Sequence, residues 1–202
     1  MQLKIYGDRK SGNCYKIILT TSILKIEHEW IEIDILKNET QTKDFLIMNQ
    51  NGKVPVLELR DGKYLSESNA IINFLSLGSE LIPNDPFDYH KMLEWQFFEQ
   101  YSHEPYIAVA RFISKYLGLP SERFAEYESK QSGGNKALTI MDNHLEQKDF
   151  FVGDRISLAD ISLYSYTHVA DEGGFDLGKY PSIQAWLKRI ENIDGYVRMY
   201  EN

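Results

Sequence analysis

Apolar and polar positions follow two different periods along this chain, and the change of period divides it in two. Over the first 78 residues, segments that alternate every second position and predict strands are interleaved with segments at helical spacing. The predicted strands cover residues 3–6, 28–33, 54–59 and 64–65, and the predicted helices cover 13–24, 43–48 and 68–77. From residue 88 onward only helical signals are found, in stretches at 89–117, 119–147, 157–169 and 182–193. The pattern therefore predicts an α/β domain followed by an all-α domain.

A short segment rich in helix-breaking residues separates the two parts. Gly78, Pro83 and Pro86 fall within nine residues, a density that is typical of a linker. We therefore expect a first domain at 1–78, a linker at 79–87 and a helical domain at 88–202. Within the first domain, an Asp-Gly pair between the last two strands predicts a hairpin. The order βαβ followed by αββα then gives a mixed sheet of four strands, because the hairpin pair must be antiparallel.

Three features of the helical part have local consequences. Pro105 lies inside the first stretch and is expected to kink or break it, because proline has no backbone N–H. Gly133 and Gly134 each cost a helix ~1 kcal/mol relative to alanine, so a break is expected there. Ser157 and Asp160 form a capping-box pattern, which assigns Asp160 a structural role at the start of a helix.

Charge and composition argue against several classes of function. The net charge of −8 disfavours non-specific nucleic-acid binding, which requires a basic face. No apolar run reaches ~18 residues, so no transmembrane helix is expected. The first residues lack the pattern of a signal peptide and there is one cysteine, which predicts a cytoplasmic protein without an internal disulfide. The five histidines are scattered and no cysteine pair exists, so no metal site is expected.

Two segments of the first part could together bind a short peptide with charged ends. Pro55 stands at the mouth of a strand, where a cis bond to Val54 would leave the N–H and C=O of Val54 pointing outward. Eleven residues after Pro55, Ser66-Glu67-Ser68 has the form of a helix start and offers an acid beside outward-facing N–H groups. Such a unit suits a peptide that carries a carboxylate and an ammonium group, for example glutathione.

Taken in order, these segments resemble the soluble glutathione S-transferases over nearly the whole chain. The resemblance rests on the strand at 3–6, the turn Lys53-Val54-Pro55, the pair Glu67-Ser68 and the segment at 153–161. It implies a thioredoxin-like first domain and a helical-bundle second domain. It also implies a cytoplasmic homodimer in which the first domain of one subunit packs on the second domain of the other. The implied activity is that of a glutathione S-transferase in detoxification, with glutathione as co-substrate, a small electrophile as partner and no metal.

The resemblance also implies which residues bind glutathione. Val54 would pair its backbone with the cysteinyl part, and Lys53 would meet the glycyl carboxylate. Glu67 would accept the γ-glutamyl ammonium, and Ser68 would bind the γ-glutamyl carboxylate through its hydroxyl and its N–H. Gln41, at the start of the second helix, is a further contact.

The loop before the first predicted helix holds three candidates for activating the glutathione thiol. A free thiol has a pKa of ~8.5, so a hydrogen-bond donor and positive potential are needed to form the thiolate at neutral pH. Ser11 matches the hydroxyl residue of the serine- and threonine-type transferases. Asn13 matches the asparagine of the Nu-like branch, although Gly12 stands where that branch has proline. Cys14 matches the cysteine of the Beta-like branch and, in a first helical turn, would have a lowered pKa.

The second substrate is expected beside the first long helical stretch, where Tyr101, His103, Tyr106 and Arg111 fall. The aromatic rings would stack on an electrophile, and Arg111 would stabilise developing negative charge. Tyr6, which ends the first strand, is given a packing role. Two alternatives stay open: a glutathione-dependent disulfide reductase, peroxidase or dehalogenase, and a non-catalytic glutathione-binding regulatory module.

Overall fold

The computed structural model describes residues 3–199, and the contacts within the chain define two compact units. One unit comprises the described residues up to Ser79 together with those from Asp194 onward, and the other comprises Glu80–Ile193. The end of the described chain therefore belongs with the N-terminal unit. Tyr15 illustrates this, because its hydroxyl donates a hydrogen bond to the Val197 carbonyl at 2.6 Å.

The first unit is a four-stranded mixed sheet in the order β2-β1-β3-β4. β1 pairs parallel with β2 and antiparallel with β3, and β3 pairs antiparallel with β4, as the hairpin prediction required. The strands are β1 (Lys4–Gly7), β2 (Glu29–Glu32), β3 (Val56–Glu58) and β4 (Tyr64–Ser66), and the helices are α1 (Gly12–Ile23), α2 (Lys43–Met48) and α3 (Ser68–Leu75). This is the thioredoxin-like arrangement, and its prediction is confirmed.

The core of this unit explains why α1 is unusually apolar. Ile5 and Leu57 on the central strands are buried, as are Ile17 and Leu19 on α1 and Ile71 on α3. α1 packs against α3, and an unbroken run of its residues from Cys14 to Thr21 is buried. A helix that is buried on nearly every face must be apolar around most of its circumference.

The second unit is helical, as predicted. Its α-helices are α4 (Pro86–Phe98), α5 (Glu104–Arg111), α6 (Phe124–Leu145), α7 (Leu158–Thr167) and α8 (Pro181–Glu191). α7 is the centre of this unit, because every one of its residues is buried. No helix of residues 3–199 has the length and apolar character that crossing a bilayer demands.

The first helical stretch is interrupted next to Pro105, as expected, but by a change of helix type. Residues Glu99–His103 form a π-helical turn, and α5 begins directly after it with Pro105 in its first turn. A proline is tolerated there because the first N–H groups of an α-helix have no partner within that helix.

The break expected at Gly133 and Gly134 is absent, and that prediction is wrong. α6 runs through both residues without interruption. A Cβ on Gly133 would lie 2.2 Å from a ring carbon of Tyr106, and a Cβ on Gly134 would lie 2.2 Å from a ring carbon of Phe175. The two glycines therefore let aromatic rings approach the helix backbone, which outweighs their poor helix propensity.

Asp160 has the structural role that the capping-box pattern predicted. Its carboxylate accepts hydrogen bonds from the N–H groups of Phe151 (3.0 Å) and Ser157 (2.9 Å) and from the Trp186 indole (3.0 Å). The capping box with Ser157 is formed at the start of α7. Burial raises the pKa of Asp160 to about 6, against the effect of its hydrogen-bond donors.

Candidate functional site

The loop before β3 presents an unpaired segment of main chain. The Val54–Pro55 bond is cis, which confirms the prediction. Within residues 3–199, neither the N–H nor the C=O of Val54 forms a hydrogen bond. The preceding residues are held by side chains, because the Asn49 amide donates to the Lys53 carbonyl at 2.8 Å. The main chain of Val54 is therefore available to an extended ligand.

The Gln41 side chain holds this loop by a hydrogen bond. Its Nε2 donates to the Gly52 carbonyl at 3.3 Å and to the Thr40 hydroxyl at 3.2 Å. Gly52 has φ +61, and a Cβ there would lie 2.5 Å from the Gln41 Nε2. The positive φ favours glycine at this position, and a larger residue would also displace the Gln41 amide. The Lys53 side chain is exposed and forms no ion pair with the described residues.

Glu67 adopts a backbone conformation that its residue type rarely takes. It is the N-cap of α3, with φ 69 and ψ 112, and its side chain makes no cap hydrogen bond. A non-glycine residue at such angles costs of order 1–3 kcal/mol, and such strain clusters at functional sites. The carboxylate is exposed and is not used to cap the helix, so it is available to a cationic group.

Ser68 connects the starts of α1 and α3. Its hydroxyl donates to the Asn13 Oδ1 at 3.1 Å and accepts from the Lys16 Nζ at 3.3 Å. Ser68 and Lys16 are both buried. Two of the expected site residues, Asn13 and Ser68, are thus brought into direct contact although 55 positions separate them.

Lys16 is a site residue that the sequence analysis missed. A signal was present, because Lys16 is a cation within an otherwise apolar run on α1, between Tyr15 and Ile17. A charged residue at a buried helix position requires polar partners, which indicates a polar cluster next to it.

Ser11 is the N-cap of α1 but does not cap it with its side chain. Its backbone is extended (φ −76, ψ 130), and its N–H donates to the Asp8 carbonyl at 2.9 Å. Asp8 is buried, and burial raises the pKa of its carboxyl group. The hydroxyl lies within hydrogen-bond reach of the Cys14 thiol. Because it is not committed to a helix cap, it can serve a ligand at the start of α1.

The lowered pKa expected for Cys14 is wrong. The side chain is fully buried, and a Cβ on Gly7 would lie 2.8 Å from its sulfur. Burial raises the pKa of Cys14 to about 12, although the Ser11 hydroxyl and the Asp8 backbone oppose that rise. A thiol in this position is protonated at neutral pH, and desolvation outweighs the helix N-terminus.

Tyr6 is engaged within the sheet. Its hydroxyl donates to the Glu58 Oε2 at 2.6 Å, across the pairing of β1 with β3. Burial, followed by the hydrogen bond to Glu58, raises the pKa of this phenol. These contacts agree with the packing role expected for it.

The expected second-substrate residues do not share one surface, and two of them require correction. His103 is fully buried, with its Nε2 2.9 Å from the Thr167 hydroxyl. Arg111 is 2% exposed, and its Nε donates to the Glu172 Oε2 at 2.7 Å. Both side chains lie inside the helical unit and cannot reach a bound electrophile.

The two tyrosines of that set lie in contrasting surroundings. The Tyr106 ring packs against Gly133 on α6, whereas Tyr101 is 83% exposed. Sequence spacing placed the set on one stretch, but the π-helical turn at Glu99–His103 changes the angle between successive side chains. Elsewhere in the described range, no three His, Cys, Asp or Glu side chains are grouped so that they could hold a metal ion.

Fold and site together define a two-unit protein with a thioredoxin-like first unit, a helical second unit and an unpaired stretch of main chain at a cis-proline. Residues 1–76 match the family model for the N-terminal domain of glutathione S-transferases, and residues 89–194 match that for the C-terminal domain. The chain therefore belongs to the glutathione S-transferase family.

Individual proteins agree with this assignment. The structure of a glutathione S-transferase from Pseudomonas fluorescens Pf-5 is 55% identical, covers 100% of both chains and superposes with a TM-score of 0.97. A possible glutathione S-transferase from Rhodopseudomonas palustris is 40% identical, covering 99% of this chain and 90% of that one, with a TM-score of 0.96. The glutathione S-transferase hmp2 of Hypomyces subiculosus is 25% identical over 98% of this chain and 97% of its own length.

Proposed function

We propose that this protein is a glutathione transferase that activates the glutathione thiolate with Ser11 and Asn13 for attack on a small electrophile. The observation that carries the proposal is that the start of α1 holds both a Ser11 hydroxyl unused for capping and an Asn13 amide bound to Ser68. Family membership supports it, as does the glutathione named in the structure of Ure2p, whose fold this chain shares.

The proposal assigns a binding role to each group from its surroundings. The unpaired main chain of Val54 pairs with the cysteinyl part of glutathione, and Lys53 meets the glycyl carboxylate. The Glu67 carboxylate accepts the γ-glutamyl ammonium. Ser68 binds the γ-glutamyl carboxylate through its N–H, because its hydroxyl proton is already given to Asn13. Gln41 acts indirectly by holding Gly52.

The start of α1 stabilises the thiolate electrostatically. The first N–H groups of a helix and its dipole favour an anion there, and a hydroxyl donor adds a charge-assisted hydrogen bond. The thiol proton leaves to solvent, and the sulfur lone pair attacks the electrophile. An aryl halide loses its halide ion in this step, whereas an isothiocyanate is attacked at its central carbon and its nitrogen takes up a proton from solvent. Holding both reactants in place supplies the remaining rate enhancement.

The alternatives differ in what they require of Cys14 and Ser11. A disulfide reductase that forms a mixed disulfide at Cys14 needs an accessible thiolate, and a fully buried thiol with a pKa of about 12 disfavours it. A binding module that has lost catalysis needs Lys53 and Glu67 for glutathione but need not keep the Ser11 hydroxyl. The transferase is therefore the reading that uses every one of these groups.

We further propose that the protein works as a homodimer in the cytoplasm, in detoxification. Each unit exposes large apolar side chains: Phe74 (43%) and Leu77 (73%) on the first, and Phe97 (66%) and Tyr101 (83%) on the second. Contiguous exposed apolar patches are typical of surfaces that pair with another chain, and a homodimer would cover these side chains. Light scattering should give twice the 23.5 kDa mass of the chain, and a monomer would contradict the homodimer.

A substrate panel tests the activity. The purified protein is assayed with glutathione and an aryl halide, an isothiocyanate, a peroxide and a mixed disulfide. The proposal predicts conjugation of the aryl halide or isothiocyanate that saturates with glutathione. Turnover of the mixed disulfide alone would identify a reductase, and glutathione binding without any turnover would identify a binding module.

A further inference from the structure

Lys16 is the buried charged group on α1 that the proposed function leaves without a role. Its side chain has no exposed surface, and its Nζ lies 3.3 Å from the Ser68 hydroxyl oxygen. Burial of an ammonium group is costly unless polar partners receive its protons. A methionine would fill similar space on an apolar helix without that cost, so the cation at this position requires a reason.

The charge of Lys16 favours one direction for the hydrogen bonds beyond it, because a cation beside the Ser68 oxygen favours an acceptor, and not an N–H group, as the other partner of the hydroxyl. An ammonium group only donates, so the Ser68 oxygen accepts from Lys16. A neighbouring cation polarises the Ser68 O–H and makes it a stronger donor. That proton is given to the Asn13 Oδ1 at 3.1 Å. The oxygen end of the Asn13 amide is therefore held at Ser68, and the Nδ2 end supplies the donors on the other side.

We propose that Lys16 is a positioning residue for thiolate activation, acting through Ser68 to hold the Asn13 amide with its nitrogen as the donor to the glutathione sulfur. The inference rests on the proposed function, because it needs glutathione bound with its sulfur at the start of α1. An amide turned the other way would present an oxygen to the thiolate and would raise the pKa of the thiol instead of lowering it. Lys16 favours the orientation with the nitrogen toward the sulfur, without touching the ligand.

The hydrogen bonds from Lys16 to Ser68 and from Ser68 to Asn13 form a relay. This relay also joins the two ends of the glutathione site. Ser68 begins α3, where the γ-glutamyl carboxylate is expected, and Asn13 lies in the first turn of α1, where the sulfur is expected. A change at Lys16 therefore reaches the sulfur through hydrogen bonds and not through the shape of the pocket. A merely structural lysine would change stability and leave the thiol pKa as it is.

The test measures the pKa of the thiol of bound glutathione from thiolate absorbance against pH. Lys16→Met removes the donors and keeps the length, and we expect it to raise that pKa by about one unit, since a hydrogen bond to a charged group is worth about that much. The acid limb of kcat/KM should move by the same amount. The variant leaves unchanged the titratable groups that adjoin the relay in sequence or by contact, which are Asp8, Cys14 and Glu67.

Thr20→Val is the matched control. Thr20 lies one helical turn beyond Lys16 on α1, is equally buried, and its hydroxyl has no hydrogen-bond partner among the described residues. This variant should leave the thiol pKa at the wild-type value. A Lys16→Met protein that binds glutathione with the wild-type thiol pKa would overturn the inference.

Two further arrangements keep the test decisive. If Lys16→Met does not fold, Lys16→Gln keeps a hydrogen-bonding group at the same depth but can accept as well as donate, so the same direction of shift is expected. In an Asn13→Ala background, either change should give no further shift, and additive shifts would contradict the relay. A wild-type protein that leaves the bound thiol at its solution pKa would overturn the proposed function itself.

Discussion

At the scale of single residues, the site depends on side chains at helix N-caps that do not form the usual capping hydrogen bond. Ser11 stands at an N-cap without capping, and Glu67 takes the N-cap of α3 at φ 69 without bonding the helix. Neither side chain is committed to its helix, and at Glu67 the backbone conformation has a cost in local stability. Cys14 shows the opposite case, because its surroundings satisfy it and exclude water.

Ser11→Ala should lower kcat/KM for conjugation about tenfold or more, because a hydrogen bond to the thiolate is lost. Cys14→Ala should leave kcat/KM within about twofold, since the buried thiol does not react. Steady-state kinetics with glutathione and an aryl halide compare the two. A larger loss in Cys14→Ala than in Ser11→Ala would move the chemistry to the cysteine.

Glu67→Ala should weaken glutathione binding, measured by calorimetry, while the protein remains folded. Glu67→Gly should weaken binding similarly but be more stable than the alanine variant by about 1 kcal/mol, because glycine tolerates positive φ. Equal stability of the two would show that Glu67 is not strained, and unchanged affinity would remove it from the site.

At the scale of elements, periodicity predicted the type and order of the strands and α-helices, because burial in this fold follows the spacing of apolar side chains. It could not predict how closely two elements approach. Gly133 and Gly134 look like a break in sequence, and only the rings of Tyr106 and Phe175 show why glycine is needed. Likewise, spacing placed His103 and Arg111 on an accessible face, whereas their partners Thr167 and Glu172 lie more than 60 positions away.

Gly134→Ala should lower the free energy of unfolding by about 1–3 kcal/mol, because the new methyl group overlaps the Phe175 ring. Helix propensity alone predicts the opposite, a gain of ~1 kcal/mol. Ser129→Ala, on an exposed position of the same helix, is the control and should change stability little. Denaturant unfolding measures the free energy of unfolding of each variant. A Gly134→Ala protein more stable than the wild type would show that the Phe175 ring can move aside.

At the scale of the whole molecule, stability depends on groups that titrate inside the helical unit. Burial lowers the pKa of His168 to about 4, with a further contribution from the Arg111 charge, and its ring stacks on Tyr164 at 4.7 Å. The unfolded chain takes up this proton near pH 6.5 and the folded protein only near pH 4. The stabilisation is therefore complete above pH 6.5 and is lost as the pH falls toward 4.

We expect His168→Phe to lose less stability than the wild type between pH 6.5 and 4, by about 2 kcal/mol, because it keeps the stacked ring and does not titrate. Asp160, whose pKa is raised, acts in the opposite sense over that range and is present in both proteins. Denaturant unfolding at several pH values gives the comparison. Parallel curves would show that His168 titrates normally in the folded state.

A crystal structure with glutathione tests the central claim most directly. The tripeptide should lie extended along the main chain of Val54, with its sulfur within hydrogen-bond distance of the Ser11 hydroxyl and the Asn13 amide nitrogen. Glutathione bound elsewhere, or with its sulfur turned away from the start of α1, would contradict the account.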